Sequence, residues 1–170
     1  MILVGIGSNL VAPGFESPQE VAAAAIAQLP AIGVTAVRQS RWYQSEPVPL
    51  SDQPWYVNGV AVVATGLAPA ALLTQLLALE TRFGRRRAVP NAARTLDLDL
   101  LDYDGRQCAT RRLVLPHPRL HERRFVVAPL AEIAPDWRHS RLGLTAAELL
   151  TRLPPGQPVG ALGDLEMPRR

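Results

Sequence analysis

Short apolar runs alternate with amphipathic stretches along this chain, and their periods set out an order of elements. Ile2 to Ile6 is an apolar run ended by Gly7-Ser8-Asn9, the pattern of a strand entering a turn. Ser17-Pro18-Gln19-Glu20 reads as an N-cap with proline at the first helical position. An alanine-rich helix follows to Leu29, and Pro30 and Gly33 end it. Val34 to Tyr43 reads as a second strand, and a loop rich in Ser, Pro and Asp runs from Ser45 to Pro54. Tyr56 to Thr65, with β-branched Val57, Val60, Val62 and Val63, is a third strand. From Pro69 to Phe83, Leu72, Leu76 and Leu79 with Leu73 and Leu77 make a wide apolar stripe at helical spacing, and Gly84 stops it. Arg94-Thr95-Leu96-Asp97-Leu98-Asp99-Leu100 then alternates with the period of a strand.

Strand, helix, strand, strand, helix, strand is the order of a ferredoxin-like βαββαβ core, an α+β arrangement with helices on one face of a mostly antiparallel sheet. Beyond it, Asp104-Gly105 predicts a hairpin into a short extra strand around Gln107 to Ala109, and Leu113 to Pro118 a proline-bounded loop. C-terminal helices are expected over Glu122 to Ile133, broken at Pro129, and over Thr145 to Leu153, capped by Thr145 with Glu148 at the third position. Pro and Gly predominate from Pro154 on. We therefore expect one domain over 1–153 and a poorly packed tail over 154–170.

The alternating strand also carries the chemistry. Asp97 and Asp99 would share one face, about 6 to 7 Å apart, with Leu96, Leu98 and Leu100 on the other. Two carboxylates that close repel, so their face must hold a cation, an arginine partner or open water. Oxygen donors in this number suit Mg²⁺, which takes one or two carboxylates and completes its shell with water and phosphate oxygens. Arg85, Arg86, Arg87 and Arg94 could supply a phosphate clamp. A half-solvated strand beside a solvated arginine loop gives the same spacing, and the segment alone leaves both readings open.

Composition narrows the choice. The chain has 170 residues, 48% of them hydrophobic, which suits a single domain with an adequate core. All 18 basic residues are arginine, and the net charge is +3. Between Arg82 and Arg124, 11 arginines face only Asp97, Asp99, Asp102, Asp104 and Glu122, a local +6 that attracts polyanions, meaning nucleotides or nucleic acid. A lone cysteine, Cys108, excludes an internal disulfide and a cysteine-rich metal site. No apolar run approaches the roughly 18 to 20 residues of a membrane span, and the start lacks the basic region of a signal peptide. Cytoplasmic residence, no membrane partner and a monomer are the expectations.

Six segments in order carry a resemblance. They are Gly5-Ile6-Gly7-Ser8-Asn9-Leu10, Tyr43-Gln44-Ser45-Glu46-Pro47-Val48, Gln53-Pro54-Trp55-Tyr56-Val57-Asn58, Glu80 with Phe83-Gly84-Arg85, Arg94 to Asp99, and Leu115-Pro116-His117-Pro118-Arg119 with Arg123 and Phe125. Together, over roughly Met1 to Pro135, they resemble the 6-hydroxymethyl-7,8-dihydropterin pyrophosphokinase family. The resemblance implies a ferredoxin-like, Mg²⁺-dependent diphosphokinase of folate biosynthesis that moves the diphosphoryl group of ATP onto the pterin hydroxymethyl group, leaving AMP. By the same resemblance, Asp97 and Asp99 would bind two Mg²⁺ ions, and Arg85, Arg87 and Arg94 would be catalytic. Glu80, Arg94, Arg112, His117 and Arg123 would serve ATP. Ser45, Glu46, Pro47, Val48, Tyr56, Asn58 and Phe125 would hold the pterin, an asparagine amide offering the donor and acceptor that a pterin edge requires. Glu80 is open between a surface glutamate and a partner for an arginine or the metal-bound substrate.

Many family members carry a tryptophan and Gly-Pro just before the arginine of the aspartate strand, where this chain reads Val89-Pro90-Asn91-Ala92-Ala93. An RNA-binding domain is the main competitor for a basic ferredoxin-like sheet. Its Gly-Phe-Gly-Phe type pattern is absent, and paired aspartates repel a phosphate backbone, so no nucleic-acid partner is expected. A different Mg²⁺-dependent nucleotidyl or phosphoryl transferase would keep Asp97 and Asp99 but not the pterin residues.

Overall fold

A computed structural model describes residues 1–85, 93–154 and 158–162. Strand β1 (Ile2–Ser8) runs between two antiparallel neighbours, β4 (Tyr56–Thr65) and β5 (Asp97–Tyr103). All seven residues of β1 are buried, as suits a central strand with a neighbour on each edge. Helix α1 (Pro18–Gln28) begins where Ser17 Oγ accepts from the Glu20 amide at 3.2 Å. It tightens into a 3-10 turn over Leu29–Ile32, and Gly33 at φ 74° closes it in the left-handed region that glycine enters without strain. Helix α2 spans Pro69–Arg82.

The expected single strand Val34 to Tyr43 is two: β2 (Val34–Gln39) and β3 (Tyr43–Ser45), laid end to end along the same edge of β4. Ser40 makes the break. Its amide donates to the Val60 carbonyl at 3.0 Å while its hydroxyl accepts from the Val60 amide at 3.1 Å, so a side chain takes over from the ladder.

Two apolar layers sandwich the sheet, where helices on one face were expected. On one side Val21, Ala22, Ala25, Leu72, Leu76 and Leu79 of α1 and α2 pack on Val4, Ile6, Ala61, Val63, Leu98 and Leu100. On the other, α3 (Arg124–Ile133) and α4 (Ala146–Arg152) cover Leu3, Val60, Val62 and Leu101. Helix α3 runs through Pro129 instead of breaking there. Proline forfeits a single helical hydrogen bond, and Val126, Val127 and Leu130 anchor the helix on the sheet from both sides of it. Thr145 and Glu148 form the expected capping box of α4.

Two further expectations are corrected. Asp104-Gly105 does turn the chain, but the next strand, β6 (Cys108–Ala109), pairs with β7 (Val114–Leu115) in a separate ribbon. Within the tail read as poorly packed, Val159–Ala161 forms β8, paired with β3, and Ala161 is buried. Those three residues face the chain's own sheet edge, a long-range match that Pro and Gly content does not reveal. The sheet order is β5-β1-β4-β3-β8, with β2 also on β4.

Candidate active site

Helices α3 and α4 cover only part of their face of the sheet. There β1 presents Leu3, Gly5 and Gly7 in alternation, and β4 presents Asn58, Val60 and Val62. The register sets Gly7 between Asn58 and Asp97, and Gly5 between Val60 and Asp99. Missing side chains on the central strand thus open a trough between the polar groups of its neighbours. A Cβ on Gly7 would meet Asn58 Oδ1 at 3.6 Å and Asp97 Cβ at 3.7 Å, while one on Gly5 would press on Leu101 at 3.3 Å.

The resulting cleft encloses ≈ 180 Å³, far more than the roughly 30 Å³ of one water. Ser45, Glu46, Pro47, Val48, Tyr56, Asn58 and Phe125, the residues assigned to the pterin, all line it, together with Arg94, Asp97, Asp99 and Arg123. Asn58 is buried and donates through Nδ2 to Ser45 Oγ at 2.9 Å, which fixes which end of its amide faces the cleft. Burial raises the Tyr56 phenol above its usual range.

At the far end Asp97 sits between two guanidiniums. Arg85 Nη1 donates to its Oδ1 and Arg94 Nη1 to its Oδ2, each at 2.6 Å. Burial works against the Arg94 charge, but Asp97 outweighs it and raises its pKa. Among the described residues Asp99 has looser partners, Arg123 Nη1 at 3.6 Å and His117 Nε2 at 4.0 Å. A third of its side chain, 35%, meets solvent, but at the floor of a cleft with protein on most sides. Burial, then the charge of Asp97, pushes its carboxyl up to about 6. The His117 ring is lowered to about 4 by burial and by Arg123, so it is neutral at pH 7. Arg123 also lies over the Phe125 ring, 5.6 Å from its centroid, which ties the charged end of the cleft to its aromatic wall.

Glu80 is not a surface residue. It is 1% exposed, accepts from the Leu98 amide at 2.7 Å and pairs with Arg85. One carboxylate of α2 therefore holds both the aspartate strand, between its two aspartates, and the arginine on Asp97. Arg112 is exposed in the turn between β6 and β7 and is not among the cleft's lining residues. Arg87, Arg86 and the Val89 to Ala92 segment lie outside the described residues.

Sequence reading passed over Asn9 and Gln53 as individual residues. Gln53 lines the cleft, and buried Asn9 reaches both Gln53 and the backbone of Arg94. A polar residue directly after an apolar strand, in Gly7-Ser8-Asn9, is the available signal.

A trough with an aromatic wall and a buried amide at one end, and carboxylates among arginines at the other, defines on this ferredoxin-like fold a transferase for a phosphorylated ligand. Residues 3–135 match the family model described as 7,8-dihydro-6-hydroxymethylpterin-pyrophosphokinase. The chain is 42% identical over 152 residues to the 2-amino-4-hydroxy-6-hydroxymethyldihydropteridine pyrophosphokinase of Synechocystis, covering 89% of this chain and 75% of that one. It is 38% identical over 153 residues to the protein of the same name from Methylorubrum extorquens, covering 89% and 92%. A crystal structure of wild-type Plasmodium falciparum HPPK-DHPS superposes with a TM-score of 0.63 at 12% identity, covering 89% of this chain and 43% of that longer one, a likeness of fold. The chain belongs to the 7,8-dihydro-6-hydroxymethylpterin-pyrophosphokinase family. It is a pyrophosphokinase that acts on 6-hydroxymethyl-dihydropterin in folate synthesis.

Proposed function

We propose that the transfer takes place in this cleft, with the pterin between Tyr56 and Phe125 and the ATP phosphates over Asp97 and Asp99. The observation that carries the reading is the shared trough: the aspartate pair and the aromatic wall border one cavity floored by Gly5 and Gly7. In the reaction the hydroxymethyl oxygen attacks the β-phosphorus and gives up its proton to solvent, the bond from the β-phosphorus to the α,β-bridging oxygen breaks, and AMP leaves carrying that oxygen.

The donor set fits Mg²⁺. Asp97 and Asp99 offer hard oxygens two residues apart on one face of β5, and Asp99 has no ion pair closer than Arg123 at 3.6 Å among the described residues. When bound, two Mg²⁺ ions would supply charge neutralisation along the in-line displacement.

The chain's own residues do the rest. Asn58, oriented by Ser45, reads the pterin edge, and Ser45 to Val48 form its rim. Arg85 and Arg94, now paired with Asp97, turn to phosphate oxygens once the aspartate is otherwise neutralised; their forks hold the phosphates straight. Arg123 and neutral His117 take phosphate oxygens beside Asp99. Arg87 joins from the segment beyond Arg85, and Arg112 serves the adenosine end. We place this activity in the cytoplasm, in a monomer, on two small molecules and no nucleic acid.

The test is AMP release from ATP and Mg²⁺ with and without 6-hydroxymethyl-7,8-dihydropterin, following the pterin diphosphate. Pterin-dependent AMP with matching product, abolished by chelating the metal, supports the reading. AMP formation indifferent to pterin, or undiminished by the chelator, overturns it.

A further inference from the structure

Three segments meet at Asn9, none of them adjacent in sequence. Asn9 is 1% exposed and follows the last residue of β1. Its Oδ1 accepts from the Arg94 amide at 2.7 Å, and its own amide donates to the Arg94 carbonyl at 3.0 Å, so the backbone of Arg94 is held on both sides. Its Nδ2 donates to Gln53 Oε1 at 3.3 Å and to the Pro54 carbonyl at 3.1 Å. Gln53 in turn lies 3.5 Å from the hydroxyl of Tyr56, which donates to it. Ser8 Oγ donates to the Thr95 carbonyl at 2.7 Å, so the chain is pinned again one residue further on. The carboxamide has separate donor and acceptor ends, one on the Gln53-Pro54 segment and the other on the Arg94 backbone.

We infer that Asn9 is a positioning residue for the transfer, setting the Arg94 guanidinium against the Gln53-Pro54-Tyr56 wall so that phosphate and pterin are presented to each other in one geometry. The inference rests on the reading of Arg94 as a phosphate contact. A guanidinium is aimed by its backbone. With Nη1 at 2.6 Å from Asp97 and the peptide locked by Asn9, Arg94 has few rotamers to lose when a phosphate arrives. Misplacement by about 1 Å costs such a step roughly a hundredfold.

The experiment is a double-mutant cycle in the full chain, with kcat/KM for pterin measured at saturating Mg²⁺-ATP for wild type, Asn9→Ala, Arg94→Ala and the double variant, and thermal melting run alongside. If Asn9 acts through Arg94, Asn9→Ala lowers kcat/KM by about tenfold or more alone but by less than about threefold on top of Arg94→Ala. Asn9→Asp keeps an acceptor for the Arg94 amide yet turns a carboxylate oxygen on Gln53 and Pro54. It should raise the pterin KM more than it lowers kcat, a split that lost stability alone does not produce. It also carries the cycle should the alanine variant not fold. Losses that multiply fully in the double variant, or a lowered melting temperature with unchanged kinetics, overturn the inference while Arg94→Ala still reports on the site. An Arg94→Ala enzyme as active as wild type overturns the Arg94 assignment and this inference with it, whereas a folded wild type that makes no pterin diphosphate rejects the reaction itself.

Discussion

Replacing Glu80 by alanine tests how the aspartate strand is held. The carboxylate lies under the sheet, 1% exposed, and accepts from the Leu98 amide at 2.7 Å while pairing with Arg85. Alanine leaves the buried Leu98 N–H without that acceptor, which costs about 1–3 kcal/mol. It also strips one partner from a mostly buried ion pair, where the loss reaches about 3–5 kcal/mol. Arg85 is 13% exposed and keeps Asp97, so the two losses overlap and the total should stay near about 3–5 kcal/mol. For a chain of this length that lowers Tm by about 6 to 20 °C. Glu80→Gln retains an oxygen for the Leu98 amide but not the charge, so it should lose about half as much, roughly 1.5–2.5 kcal/mol, and show a lower kcat because Arg85 is then held by Asp97 alone. Urea denaturation and steady-state kinetics on both variants provide the measurement. A Glu80→Ala protein melting within about 2 °C of wild type would refute the argument that this carboxylate anchors the strand.

Asp97→Asn and Asp99→Asn should each lower turnover by about a hundredfold or more, the loss typical of removing one preorganised charged group; near-normal turnover at limiting Mg²⁺ in both would exclude them as metal ligands. Arg85→Ala should reduce the chemical step more than ATP affinity, and single-turnover rates beside equilibrium ATP binding separate the two. A Cβ at Gly59 would lie 2.8 Å from Trp42 Cζ3, so Gly59→Ala should destabilise by about 1–3 kcal/mol in urea titration, and Gly59→Ala with Trp42→Leu should recover much of it. Burial, then the hydrogen bond and charge of Glu132, push the Tyr43 phenol up to about 12 from 10.0. The folded state thus keeps a proton that the unfolded chain has lost between those values, and stability falls as pH rises from about 10 to 12. Tyr43→Phe should show a flatter decline in denaturation midpoint between pH 9.5 and roughly 11.5, and an unchanged slope would refute the linkage.

What the sequence disclosed and what it hid divide along a physical line. Periodic burial was legible: the leucine stripe of α2, the β-branched β4 and the alternation of Asp97 and Asp99 all follow from local sequence and all appear in the structure. Features made by a distant partner were not. Ser40 divides β2 from β3 only because the backbone of Val60 lies opposite, and β8 exists only because β3 offers an edge. The shift in β5 is of the same kind. Val4 pairs with Leu100 and Leu3 with Asp102, so Leu101 is the extra residue, and strict alternation fails beyond it. Leu101 joins the layer under α3, and Asp102 accepts from Trp137 Nε1 at 3.2 Å in that layer too, where a period of two would send it to the opposite face.

The same contrast explains why the cleft sits where it does. A sheet face must be covered or be useful, since exposed apolar surface costs free energy. Along β1 the covered end carries Leu3, which α3 and α4 bury with Val60, Val62 and Leu101. The open end carries Gly5, between Val60 and Asp99, and Gly7, between Asn58 and Asp97, so polar groups flank it on both sides. Giving Gly7 a leucine side chain would fill the trough that Asn58 and Asp97 flank. Extending α3 over it would bury two carboxylates with no solvent, a penalty of several kcal/mol per ion. The glycines therefore do more than permit a close approach: they hold open one end of a strand whose other end is core, and the pair of aspartates beside them is tolerable only while that end stays reachable by water and by cations such as the arginines that now hold Asp97.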